Sequence, residues 1–224
     1  MKTANRQPFN RAFTQVELLA VLAALLIPAF LFFPSFPRTR CKGSRIGCAN
    51  NLKQIGLAYR MWSNENGEKF PWAVSSNNLA GGTLEIFRTA PAWKHFEIIS
   101  NEIVSPKIFK CPSDLRSRTA NWHEFTNNAH LSYFAGLDAD ETRPQTILSG
   151  DRNLESSFAP RNGILRLTKN TPTTWTAKIH KHQGNVGLGD GSVQQMTSNA
   201  LNLQLQAALT ISFNRPVLRL ALPE

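Results

Sequence analysis

The chain has 224 residues, 42% apolar and 18% charged, which excludes a disordered or fibrous class and leaves room for one ordinary domain plus an appendage. Its net charge of +10 permits attraction to nucleic acid or anionic lipid without requiring either. The 3 cysteines show no CxxC spacing, which argues against zinc-ribbon and thioredoxin-type centres.

The first segment, MKTANRQPFNRA over 1–12, is polar, basic and free of acids. Residues 18–36, LLAVLAALLIPAFLFFPSF, carry no charge and match the length a helix needs to span a bilayer. A secretory signal peptide fits less well, because FPSFPRTR follows the apolar run instead of a small-x-small cleavage site. Glu17 stands near the start of this run, where a carboxylate in lipid costs a few kcal/mol. Arg38, Arg40, Lys42 and Arg45 follow the run and balance Lys2, Arg6, Arg11 and the initial amine before it, so the count of positive charges does not orient it. The basic cluster over 38–45 suits anionic headgroups. Nucleic acid is the weaker partner, since no aromatic-interleaved basic motif is present.

Within 46–62, Cys48, Leu52, Ile55, Tyr59 and Trp62 fall on one helical face, and Gly67 with Phe70-Pro71 predicts the stop. Beyond it the pattern turns to short β-type stretches at 108–111, 130–136, 145–149, 163–168, 173–180, 185–188 and 192–196, with helices near 92–103 and 198–208. The fold class is α+β, a globular domain on a membrane-rooted helix.

If the chain is exported, Cys48 on the helix face can pair with Cys111 in KCPSD, read as a strand exit, leaving Cys41 as the free thiol. The alternative is three reduced thiols, with Cys48 a small core residue. His180, His182 and Asp190 invite a metal or catalytic reading. The simpler reading of NVGLGDGSVQ is a hairpin, with Asp190-Gly191 as a structural turn and His180 beside it. Asp138, Asp140 and Glu141 could offer oxygens to calcium, but the EF-hand pattern is absent and an acidic solvent loop is the better account.

The stretch AFTQVELLAV, behind its basic leader, resembles the N-terminus of the type IV pilin and type II secretion pseudopilin superfamily. The resemblance implies a cut by prepilin peptidase between Ala12 and Phe13, N-methylation of Phe13, and an assembly role for Glu17. That carboxylate would neutralise the new N-terminal amine of a neighbouring subunit. It further implies a leader over 1–12, a transmembrane and assembly helix over 13–36, an amphipathic continuation over 37–66, and a globular domain over 67–224. The implied fold is a long N-terminal helix packed on a mostly antiparallel sheet. The stretches CANNLKQIGLAYRMW, FKCPSD, LSYFAGLDADETRPQTILSGDRN, HKHQGNVGLGDGSVQQ and RLALPE are similar to a bacterial pseudopilin-like group named for a His-x9-Asp-Gly element. His180 and Asp190-Gly191 match that spacing. Three residues depart from the superfamily pattern: Ala12 replaces the usual glycine, Gln15 an apolar residue, and Pro28 comes early in the helix.

The resulting expectation is a structural subunit without catalytic residues or cofactor. It would be single-pass in the bacterial inner membrane, N-terminus cytoplasmic and domain periplasmic, joining other pilin-like subunits in a pseudopilus or type II secretion-like filament. Two alternatives stand beside it. One is an anchored binding or metal-dependent enzyme domain gathering His180, His182 and acids. The other is a non-assembling anchored protein, in line with Pro28, Pro34 and Pro37.

Overall fold

The structure is a computed structural model that describes residues 14–32, 36–77, 81–86, 89–211 and 216–224. The expected leader, the cleavage pair Ala12 and Phe13, and part of the expected 13–36 span lie outside the described residues. The chain divides into two units, residues 1–40 and 41–224.

In the first unit, helix α1 (Gln15–Phe32) opens with a capping box formed by Thr14 and Glu17. The Glu17 carboxylate accepts from Thr14 N at 2.9 Å and from Thr14 Oγ1 at 3.0 Å. Glu17 N donates back to Thr14 Oγ1 at 3.4 Å. The helix continues through Pro28, and its large apolar side chains from Val16 to Ile27 are exposed. Among the described residues, no helix is long and apolar enough to cross a membrane.

The second unit is α+β. Helix α2 (Phe36–Glu65) contributes the buried face predicted from its spacing, with Cys48, Leu52, Ile55, Tyr59 and Trp62 all in the core. It packs on a six-stranded antiparallel sheet. The strands are β1 (Tyr133–Gly136), β2 (Ile147–Asp151), β4 (Ile164–Thr168), β6 (Gln183–Leu188), β7 (Val193–Thr197) and β8 (Val217–Ala221), in the order β4-β8-β1-β2-β6-β7. Strands β3 (Leu154–Ser156) and β5 (Thr173–Trp175) form a separate antiparallel pair. Successive residues of a strand face opposite sides, and both sides are covered. Tyr133, Ala135 and Leu148 join the core built on α2. Phe134, Ile147, Leu218 and Leu220 join a second core under α4 (Ser198–Ile211), which adds Leu201, Leu205 and Ala208. The central strands β1 and β2 are buried at every position, whereas the edge strands β4 and β7 keep exposed residues.

Several elements differ from expectation. Residues 108–111 are not a strand: Pro106 starts a short 3-10 helix over Pro106–Phe109, so Cys111 follows a tight turn. The expected strand 173–180 stops at Trp175, and residues 177–182 form a turn that becomes left-handed at His180. The helix expected over 92–103 ends at Glu97 (α3, Ala92–Glu97), and Ile99 leaves helical geometry at φ −90°, ψ 18° before a 3-10 turn over Ser100–Glu102. Strands β3 and β8 lie where the sequence pattern predicts no strand. β8 lies inside the sheet between β4 and β1.

Candidate functional site

The residues that carried the functional expectation occupy three separate places. Glu17 lies at the start of α1, bonded to Thr14 of its own helix. The Asp190-Gly191 pair forms the β6–β7 turn, and a buried group around Cys48, Cys111 and His180 forms the polar centre of the domain.

The turn follows from local chemistry. Gly191 takes φ +82°, which suits glycine, and Asp190 Oδ1 accepts from Ser192 N at 2.8 Å. The turn is also a docking surface for α2. A Cβ placed on Gly56 would lie 3.4 Å from Gly191 Cα, and Arg60 Nη1 donates to Asp190 O at 3.0 Å. Arg60 also pairs with Glu141 at 3.3 Å.

His180 does not join Asp190 or His182. It begins a run of three non-glycine residues in left-handed geometry, at φ +56°, +50° and +62° for His180, Lys181 and His182. Such geometry costs L-residues roughly 1–2 kcal/mol apiece, so other contacts must hold it. Asn153 supplies them: its Nδ2 reaches Thr176 O at 3.1 Å, Ile179 O at 2.8 Å and Gln183 O at 3.2 Å. His182 stays exposed, with Nδ1 3.2 Å from Trp175 O, and Asp190 is exposed as well.

The turn instead drives the His180 ring inward. Cys48 and Cys111 are joined in a disulfide, with Cα atoms 5.1 Å apart. His180 Nε2 lies 3.4 Å from Cys111 Sγ and 3.5 Å from Asp151 Oδ2, with side chains 1% and 0% exposed for His180 and Asp151. Asp151 Oδ2 accepts from Asn185 N at 2.7 Å and Asn185 Nδ2 at 2.9 Å. Arg45 Nη2 donates to His180 O at 3.2 Å, so this member of the expected headgroup-facing cluster turns into the domain. Burial raises Asp151 to about 7, against the opposing pull of the Asn185 donors and Arg45. Burial, then repulsion from Arg45, lowers His180 to about 4. His180 is thus neutral near pH 7, while Asp151 is close to its midpoint there. The side chain of Cys41 lies outside the described part.

The acidic loop is only partly open to solvent: the Asp140 side chain is 40% exposed, whereas those of Asp138 and Glu141 turn inward. Asp138 is buried against Arg219, whose backbone N donates to Oδ2 at 2.8 Å and whose Nε donates at 3.0 Å. Asp140 pairs with Arg143 at 3.5 Å, and Glu141 with Arg60. Among the described residues, the metal-capable group is Cys48, Cys111, Asp151 and His180, and it includes none of the three loop acids.

Sequence reasoning points to neither Asp151 nor Asn185, gives Arg45 only as part of the basic cluster, and gives Thr14 only as part of the prepilin-like motif. For Thr14 a signal was present, since Thr-x-x-Glu before an apolar run marks a capping box. For Asp151 the hint was an acid closing the buried strand ILSGD. Asn185 and Arg45 carry no local sign of their partners. The chain matches no protein-family model, no curated protein and no solved structure in the three comparisons made.

Proposed function

We propose that the protein is a pilin-like structural subunit, anchored by its N-terminal apolar helix and assembling through Glu17 into a pseudopilus or type II secretion-like filament. The observation that carries this reading is the start of the apolar helix: a basic segment, then Ala12-Phe13, then Thr14 and Glu17, then an uncharged run. The fold of the second unit, a helix face on an antiparallel sheet, is consistent with it. The Cys48–Cys111 disulfide supports an extracytoplasmic place for the domain. In this reading prepilin peptidase frees the Phe13 amine, and the pairing of that ammonium with Glu17 of an adjacent copy makes burial of the carboxylate tolerable. The protein is a substrate of processing, not an enzyme.

The capping box favours one competing reading, a plain anchor in which Glu17 only serves its own helix. Glu17→Gln separates the two. Glutamine still fits a capping box but carries no charge. A filament subunit loses incorporation in this variant, whereas a plain anchor keeps its level and location. Mass spectrometry of the mature chain should show a methylated Phe13 as first residue. A chain that retains Met1 in a host with prepilin peptidase would sink the proposal.

A further inference from the structure

We infer that Cys48, Cys111, His180 and Asp151 form a zinc site that becomes available when the disulfide is reduced. Geometry comes first. Zinc in four-fold coordination, with bonds of about 2.0–2.3 Å, holds its donor atoms about 3.3–3.8 Å apart. His180 Nε2 already sits 3.4 Å from Cys111 Sγ and 3.5 Å from Asp151 Oδ2. All four donor atoms lie within 4.8 Å of one another, so opening the S–S bond is the principal rearrangement required.

The donor chemistry selects the metal. Two thiolates, an imidazole and a carboxylate suit zinc, while calcium and magnesium take sets built from oxygen. The four ligands come from four places: helix α2, the turn after Pro106–Phe109, the end of β2, and the left-handed turn at His180. All four are buried. Two of the polar atoms, Asp151 Oδ1 and His180 Nδ1, are buried without a hydrogen-bond partner. Zinc can satisfy Asp151 Oδ1 if the carboxylate turns that oxygen to the metal, whereas His180 Nδ1 stays without a partner when Nε2 ligates. Zinc with two thiolates and a carboxylate leaves one net negative charge, and Arg45, hydrogen-bonded to the His180 carbonyl, sets a cation beside it.

The redox step balances with a dithiol as reductant. The dithiol gives two electrons and two protons, becoming a disulfide, while the Cys48–Cys111 bond breaks into two thiols. Zinc then displaces both thiol protons to solvent, with any proton held by Asp151 or by His180 Nε2. Disulfide and metal therefore tie together the same parts of the fold, one in oxidising and the other in reducing surroundings. This exchange does not depend on filament assembly.

The test uses the full chain in detergent, with zinc and cobalt ions as probes. A phosphine reductant, which ends as its oxide, leaves no dithiol to compete for metal. The reduced chain should bind one equivalent of zinc, and zinc should raise its thermal midpoint while leaving that of the oxidised chain unchanged. Cobalt should give a thiolate charge-transfer band and the visible bands of four-coordinate cobalt. Cys41→Ser should behave like the parent. His180→Ala and Asp151→Asn should each weaken binding at least tenfold and change the cobalt spectrum. Failure of the reduced chain to take up one equivalent, folded or not, overturns the inference. So does equal affinity in both variants, because cysteines of an unfolded chain would then account for binding.

Discussion

At the scale of single residues, the core selects protonation states. His95 is fully buried, with Nδ1 3.1 Å from Thr83 Oγ1 and no partner on Nε2. Burial lowers it from the ordinary 6.5 to about 4. The unfolded chain therefore takes up a proton below pH 6.5 that the folded chain refuses. Stability is full above that pH and declines as pH falls, by about 3 kcal/mol once pH 4 is passed. His95→Asn retains a polar partner for Thr83 and removes the titrating ring. Denaturant unfolding at pH 7 and pH 4 should show a smaller acid loss in the variant; an equal loss would place the sensitivity elsewhere. Asp114 shows the opposite solution. Burial pushes it up, but Arg152, donating at 2.7 Å and 2.8 Å, is foremost among the contacts that hold it below its ordinary value.

At the scale of elements, the decisive contact joins helix α2 to the β6–β7 turn. A Cβ on Gly56 would meet Gly191 Cα at 3.4 Å and Leu148 Cδ2 at 3.8 Å, ordinary contact distances, so the approach leaves room for a methyl group. Gly56→Ala should therefore fit and add up to about 1 kcal/mol through helix propensity. Gly56→Val has no such room and should lower stability, because its branches meet Gly191 and Leu148. Thermal midpoints of the two variants check this, and a stabilising valine would show that the contact is looser than described. The helix face was legible in the order Cys48, Leu52, Ile55, Tyr59, Trp62, and the turn in Asp190-Gly191. Their meeting was not legible, since nothing local in either segment names the other.

At the scale of the whole molecule, the disulfide links α2 to a turn 63 residues along the chain. Closing a loop of that length stabilises the fold by about 4 kcal/mol in the chain-entropy model. Replacing Cys48 and Cys111 together by alanine should lower the unfolding free energy by that order, measured in urea on the full chain. A loss near zero would mean the unfolded chain is already held compact. The same bridge closes the polar centre, so its removal bears on the metal site as well as on stability.

The sequence by itself determined what recurs at short range. The 3.6-residue spacing of α2, the tight turn at Asp190-Gly191 and the Thr-x-x-Glu start of an apolar helix are each written within a dozen or so residues. Only the tertiary structure decided which side chains share the interior. Asp151 meets His180 across the fold, Asn153 braces the left-handed turn, and β8 enters between β4 and β1. The physical reason is range. Periodicity and turn chemistry act between near neighbours, whereas burial of a polar group is settled by segments far apart in sequence, and its cost or gain exists only once they have met.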